Sequence, residues 1–180
     1  MTEFSRIKQL SGAQLAQFKT IYEGSFEEYE RDPLEDIVDD VASEQMTLLA
    51  AFEADEMVGF AAFYALETSG DMYLPYLAVN AGLRGKGVGS QFFQYMTDYL
   101  SENTESSRLM WEVKTPPSDE VNSIENRRVR FYERLGARRI PFVPDYRIPY
   151  MDKTFGYLLY WVPLQDEDVS VSRDEVRSWI

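Results

Sequence analysis

Four glycines fall within eight residues, Gly82 to Gly89, in the stretch YLAVNAGLRGKGVGSQFFQYM that runs from Tyr76 to Met96. Glycine lets a backbone approach a ligand where a side chain would stand in the way. A helix-like pattern follows at once, and the unbonded N–H groups at a helix start favour an anion. Arg84 and Lys86 add positive charge within the same few residues. Together these features predict an anion cradle, and pyrophosphate is the anion that best suits a bare backbone between two cations. A merely tight strand-to-helix turn is the alternative, but it needs one or two glycines and has no use for the cations.

Two familiar phosphate loops do not fit. A GxxxxGK[ST] loop spanning Gly82 and Gly87 would need Lys where Val88 stands. A GxGxxG fingerprint fails because Gly85, Gly87 and Gly89 alternate strictly, and the loop follows a run of strands rather than an early βαβ unit.

The 180-residue chain contains no histidine and no cysteine. Imidazole acid–base chemistry, His-based triads, thiol nucleophiles and HExxH zinc sites are therefore excluded. Proton transfer falls to Asp, Glu, Tyr, Lys, a terminus or water. A metal would have only oxygen ligands, no EF-hand spacing is present, and no metal is expected. Glu112 stands out between Trp111 and Val113, because a carboxylate in an apolar strand is costly unless it is paired or faces a cleft. A solvent-facing or salt-bridged glutamate is the alternative.

The formal net charge of −13 argues against a nucleic-acid partner and suits a cationic one, such as an amine. The segment RRVRFYERLGARR gathers Arg127, Arg128, Arg130, Arg134, Arg138 and Arg139, which reads as a local basic surface or as a solvated helix face. No apolar run approaches the roughly 18 residues of a membrane helix. The N-terminus lacks a signal-peptide core. A cytoplasmic protein with no membrane partner is expected.

The elements that must position these residues read in order along the chain. FSRIKQL alternates as a strand. Ser11 and Gln14 form a capping-box pattern that opens a helix through about Tyr29, with Leu15, Phe18, Tyr22 and Phe26 on one stripe. A second helix starts in RDPLEDIVDDV, with Asp32 as N-cap and Pro33 at the first helical position. MTLLAAFEADEMVGFAAFYAL is two strands around a turn at Ala54–Glu56, and MYLPYLAVN follows as a third, so a meander is expected. The helix from about Gly87 to Leu100 and the strand SRLMWEVK complete a crossover to a parallel pair. A helix over about 121–135 ends at Gly136. ARRIPFV and FGYLLYWV are final strands, with an aromatic loop between them that includes Tyr146 and Tyr150. Ser172 and Glu175 form a last capping box, so residues 163–180 read as a C-terminal extension with a helix. The sum is an α+β fold in one domain, 1–180, with a mixed, mostly antiparallel sheet, helices on both faces and one parallel join beside the glycine loop.

At this point the chain resembles the GNAT superfamily of acetyl-coenzyme-A-dependent N-acetyltransferases. RGKGVG (Arg84–Gly89) matches the [QR]-x-x-G-x-[GA] signature, preceded by LAV as in the family's fourth strand. NRRVRFYERLGA (Asn126–Ala137) resembles the later helix that commonly ends FYExxGF, with Ala137 replacing the aromatic residue. The resemblance covers about residues 4–162. It implies acetyl-coenzyme A as cosubstrate, with its pyrophosphate on the backbone of Arg84, Gly85, Lys86, Gly87, Val88, Gly89 and Ser90. It also implies that the pantetheine arm pairs with the backbone of Leu77, Ala78 and Val79, where the fourth and fifth strands splay, and that Asn126 contacts the coenzyme, although it falls one residue off the usual spacing.

By the same resemblance Tyr132 stands where the family places its general acid, to protonate the leaving thiolate; a core tyrosine is the alternative reading. Glu112 is the candidate base, with water or another acid as alternatives. Glu27, Glu28 and Glu30 lie near the first helix's end, a region that lines the family's acceptor site, and Tyr146 and Tyr150 would form another wall. The reaction implied is direct attack of an amine on acetyl-coenzyme A in a ternary complex. A non-catalytic acyl-coenzyme-A-binding sensor and an enzyme using a longer acyl donor stay open, as do the acceptor's identity and the oligomeric state, a homodimer included.

Overall fold

A computed structural model describes all residues except 142, 144–145, 151–152, 166–169 and 180; for 146–150, 153 and 177–179 it describes the backbone alone. Two compact units divide the chain, one of residues 1–64 and 74–102, the other of residues 65–73 and 103–180.

The first unit carries strands β1 (Glu3–Ile7), β2 (Thr47–Glu53), β3 (Glu56–Ala65, all but its last residue) and the greater part of β4 (Met72–Val79), adjacent in that order. β1/β2 and β2/β3 are antiparallel. The β2–β3 hairpin turns through Ala54 and Asp55, both at positive φ (49° and 67°), as a two-residue turn matched to strand twist requires. Helices α1 (Gly12–Ser25) and α2 (Leu34–Ala42) cover one face of these strands. There Phe18, Ile21, Tyr22, Ile37 and Val41 pack with Leu48, Ala50, Phe60, Tyr76 and Ala78. α3 (Val88–Asn103) covers the other face, where Phe92 stacks on Phe4 and Tyr99 meets Phe63. This two-sided burial explains why β2 and β3 read as nearly continuous apolar runs.

The second unit begins with the start of β4. Met72 and Tyr73 pair in parallel with Leu109 and Met110 of β5 (Arg108–Lys114). Next come α4 (Ile124–Arg134), β6 (Arg138–Arg139), β7 (Tyr146–Tyr150), β8 (Lys153–Pro163) and α5 (Arg173–Trp179). β8 pairs antiparallel with β5, β6 and β7. The sheet is therefore mixed and mostly antiparallel, with one parallel join, as the sequence implies.

Several boundaries differ from the sequence reading. α1 stops at Ser25, and Glu28–Glu30 form a separate 3₁₀ turn. Ser11 makes no side-chain cap. α2 starts at Leu34 with Pro33 as its N-cap, because Asp32 is engaged elsewhere. The expected aromatic loop contains β7, whose backbone pairs with β8, while the side chains of Tyr146 and Tyr150 lie outside the described residues. Of ARRIPFV, only Arg138–Arg139 form a strand, and Phe142 lies outside the described residues.

Two capping signals of the second unit hold, at Gly136 and Ser172, while α4 begins at Ile124 rather than at about 121, behind a Ser123 cap. Ser123 accepts from the Asn126 N–H at 3.1 Å. Gly136, at φ 86°, closes α4: its N–H goes to Glu133 and that of Ala137 to Tyr132, a double bond pattern that ends helices at a left-handed glycine. In α5 the Ser172 N–H donates to Glu175 at 2.7 Å and the Glu175 N–H to Ser172 at 3.3 Å. Arg108 ties three segments together, donating to buried Asp71 at 3.0 Å, to Glu175 at 2.8 Å and to the Ser170 carbonyl at 3.0 Å. Arg108 and the Ser172 cap hold the Glu175 carboxyl down at about 2. Among the described residues no helix is long and apolar enough to cross a membrane.

Candidate active site

In the first unit, β4 alternates strictly between buried and half-buried residues, with Tyr76 and Ala78 in the core and Leu77 and Val79 on the other side. Gly59 of β3 lets this strand sit close, since a Cβ there would lie 2.9 Å from the Ala78 carbonyl oxygen. β4 then ends in a 3₁₀ turn, Ala81–Leu83, whose cap is the Asn80 side chain accepting from the Gly82 N–H at 3.1 Å. Gly85 and Gly87 follow at φ 79° and 86°, a conformation that is strained for other residues. Cβ atoms at Gly82, Gly85 and Gly87 would meet only the Asn80 side chain at 3.7 Å in the first case and nothing in the other two. The loop is thus open above its backbone, and α3 starts immediately behind it at Val88. Arg84 and Lys86 are exposed and form no ion pair among the described residues. Backbone, helix start and cations converge, so a pyrophosphate fits this cradle.

The acidic turn lies in the same unit. Glu30 accepts from the Glu27 N–H at 3.1 Å, which spends that carboxylate on the turn, while Glu27 and Glu28 are exposed. Tyr76, buried in β4, fastens the next residues: its hydroxyl lies 2.8 Å from the Asp32 carboxylate and 3.2 Å from the Glu30 carbonyl, and it accepts from the Asp32 N–H at 3.0 Å. Tyr22 donates to the Asp32 carbonyl at 3.1 Å. Burial pushes the Tyr76 phenol well above its ordinary range. This network was missed in the sequence. The available signal was a tyrosine on the core face of β4, since a buried hydroxyl needs a partner.

In the second unit, β5 presents Trp111 and Glu112 to opposite faces. Trp111 lies opposite Tyr160 of β8, and its ring meets Tyr132 of α4 at 4.9 Å. Glu112 lies opposite Leu159, on the face where Met110, Leu159, Trp161, Ile140 and Val176 form a buried cluster. The two candidate catalytic groups therefore flank one strand from its two sides. Burial pushes the half-buried Tyr132 phenol up to about 12, against the pull of Arg128, so it is a neutral proton donor near pH 7. Burial also raises the Glu112 carboxyl, and a hydrogen bond from Tyr73 opposes that rise. Asn126 uses its side-chain amide to donate to the Glu120 carbonyl at 2.7 Å, and its own side-chain oxygen accepts no hydrogen bond among the described residues. It also lines a cavity of about 380 Å³ with Pro116, Glu133, Arg139 and Tyr160. No cluster of acids suited to a metal occurs among the described residues.

The acetyltransferase (GNAT) family model matches residues 15–137. No curated protein matches the chain. Among solved structures, an aminoglycoside 6′-N-acetyltransferase complexed with coenzyme A is similar at a TM-score of 0.72 and 13% identity, covering 91% of this chain and 98% of that one. A putative GNAT-family acetyltransferase from Desulfovibrio desulfuricans gives 0.69 and 19%, covering 91% and 99%. The ribosomal-protein-S18-alanine N-acetyltransferase from Escherichia coli gives 0.67 and 16%, covering 95% and 100%. At these identities the likeness concerns the fold.

Proposed function

The chain belongs to the GNAT acetyltransferase family, and from that premise we propose that it transfers the acetyl group of acetyl-coenzyme A directly to an amine in a ternary complex. The observation that carries this reading is the open glycine loop, with two left-handed glycines and two cations unpaired among the described residues, leading into α3. The backbone of Arg84 to Ser90 holds the pyrophosphate, and Leu77, Ala78 and Val79 offer backbone groups to the pantetheine arm and to the developing oxyanion. Asn126 offers its side-chain oxygen to the coenzyme. Bound acetyl-coenzyme A supplies the thioester, whose carbon–sulfur bond breaks as the amine nitrogen bonds to the acetyl carbon.

Tyr132 gives its phenolic proton to the departing sulfur, a role suited to a group that burial keeps protonated. Glu112 takes the proton that the attacking amine loses, and its raised pKa brings it closer to that task. Glu27 and Glu28 attract a cationic acceptor. No acetyl-enzyme is expected, since the chain lacks the cysteine and histidine that such an intermediate usually uses. The test is release of free thiol from acetyl-coenzyme A across a panel of small amines, amino acids and peptide amines. Acetylated product from at least one amine is expected. Binding of acetyl-coenzyme A without turnover on any acceptor would instead support a non-catalytic sensor.

A further inference from the structure

Asn126, Val129 and Glu133 are spaced at three and four residues on α4, so they share one face, and that face borders a cavity of about 380 Å³. Strand β8 adds Leu158 and Tyr160 to the lining, β6 adds Arg139, and the loop between β5 and α4 adds Pro116, Pro117 and Val121. All of these residues belong to the second unit. Arg139 and Tyr160 are register partners, so their side chains rise on the same side of the sheet. The hydroxyl of Tyr160, a residue only 1% exposed, donates to Glu133 Oε1 at 3.2 Å. The loop is tied to the helix in advance. Arg130 donates to the Val121 carbonyl at 2.9 Å, and Asn126 to the Glu120 carbonyl at 2.7 Å.

Two opposite charges border this cavity without meeting. Glu133 and Arg139 form no ion pair, with each other or with any other group, among the described residues. Glu133 is an oriented acceptor, because a buried phenol holds one of its oxygens. Arg139 offers a planar fork of donors that matches a carboxylate. Much of the remaining lining is apolar, and Val121 is still 69% exposed. We propose that the cavity binds a free α-amino acid with an apolar side chain. Its ammonium meets Glu133, its carboxylate meets Arg139, and its side chain lies on Pro116, Pro117, Val121 and Leu158. A purely anionic ligand would be repelled by Glu133 and a purely cationic one by Arg139, while a wholly apolar one would strip water from both charges and pair neither. The volume falls in the range of small-molecule sites, about 300–1,000 Å³. Glu133, Arg139 and Tyr160 have no part in the acetyl transfer set out above. Asn126, assigned there to the coenzyme, lies about 10 Å from Glu133 along the helix.

The test is isothermal titration calorimetry of the full chain with leucine, valine, methionine and phenylalanine, without acetyl-coenzyme A and so without turnover. At least one of the four should bind. Its amide, which lacks the carboxylate, and its N-acetyl form, which lacks the ammonium, should each bind about tenfold more weakly or worse, as for loss of a hydrogen bond to a charged group. Arg139→Gln should weaken the amino acid by about tenfold and leave the amide unaltered. Glu133→Gln should weaken the amino acid by a similar factor and leave the N-acetyl form unaltered. Such matched losses locate each charge contact at its residue. Both residues are exposed, so both variants should keep the wild-type melting temperature. No binding of any of the four would overturn the proposal, as would binding indifferent to either substitution or to either derivative. None of these results bears on acetyl transfer, which thiol release from acetyl-coenzyme A tests separately.

Discussion

Helices α3, in the first unit, and α4, in the second, each carry candidate residues, yet they are held in opposite ways. α3 buries Val88, Phe92, Phe93, Met96 and Leu100 along one side of its 16 residues. Its N-terminal end is left open beneath the glycine loop. α4, with 11 residues, has no fully buried side chain, and both its ends are closed by hydrogen bonds, at Ser123 and at Gly136. On the proposed reading the first N–H groups of α3 stay available to an anion, so capping cannot fix this helix and its flank does. α4, which on the same reading presents Tyr132 and Asn126 from its flank, gains its definition from its termini instead.

Four substitutions sharpen this contrast. Phe92→Ala removes a side chain with no exposure, stacked 5.3 Å from Phe4. It should cost about 3–5 kcal/mol of stability in denaturant unfolding; a loss as small as that of a surface residue would mean that α3 is not anchored by its flank. Gly87→Asp forces a left-handed residue to carry a negative charge at the cradle. Acetyl-coenzyme A should raise the melting temperature of the wild type and leave the variant nearly unmoved, whereas equal shifts would remove the loop from the binding site. Tyr132→Phe keeps the ring against Trp111 and deletes the proton donor. Single-turnover rates should drop by about 10²-fold with coenzyme affinity preserved, and an unaltered chemical step would leave Tyr132 as packing. Ser123→Ala opens the first turn of α4 at a cost of about 1 kcal/mol. Measured as a shift in unfolding midpoint, this should be well below the Phe92 effect, and the reverse ranking would invert the comparison.

The glycine loop of the first unit was legible along the chain, because glycine spacing, flanking cations and strand-then-helix order all lie within about twenty residues. The same holds for the caps at Gly136 and Ser172, which depend on partners three to five residues away. The pattern failed at Ser11 and Asp32, where the right residue types were present. Asp32 has a capping side chain and is followed by proline, but Tyr76, 44 residues later, takes its carboxylate and its N–H. α2 then begins without it. Local propensity lost to a buried hydroxyl that needed partners.

By itself the sequence determined the α+β order of elements, the parallel join, the open loop at Arg84–Ser90 and the exclusion of imidazole and thiol chemistry, since these depend on residue type and short spacing. Tertiary structure alone decided that Tyr76 fastens the acidic turn and that Arg108 joins Asp71 to Glu175 across 37 and 67 residues. It also decided which buried environment surrounds each candidate proton carrier. Strand alternation sends Trp111 and Glu112 to opposite sides, but only the packing of distant segments fills those sides, and desolvation, which raises both Tyr132 and Glu112, is a property of what fills them.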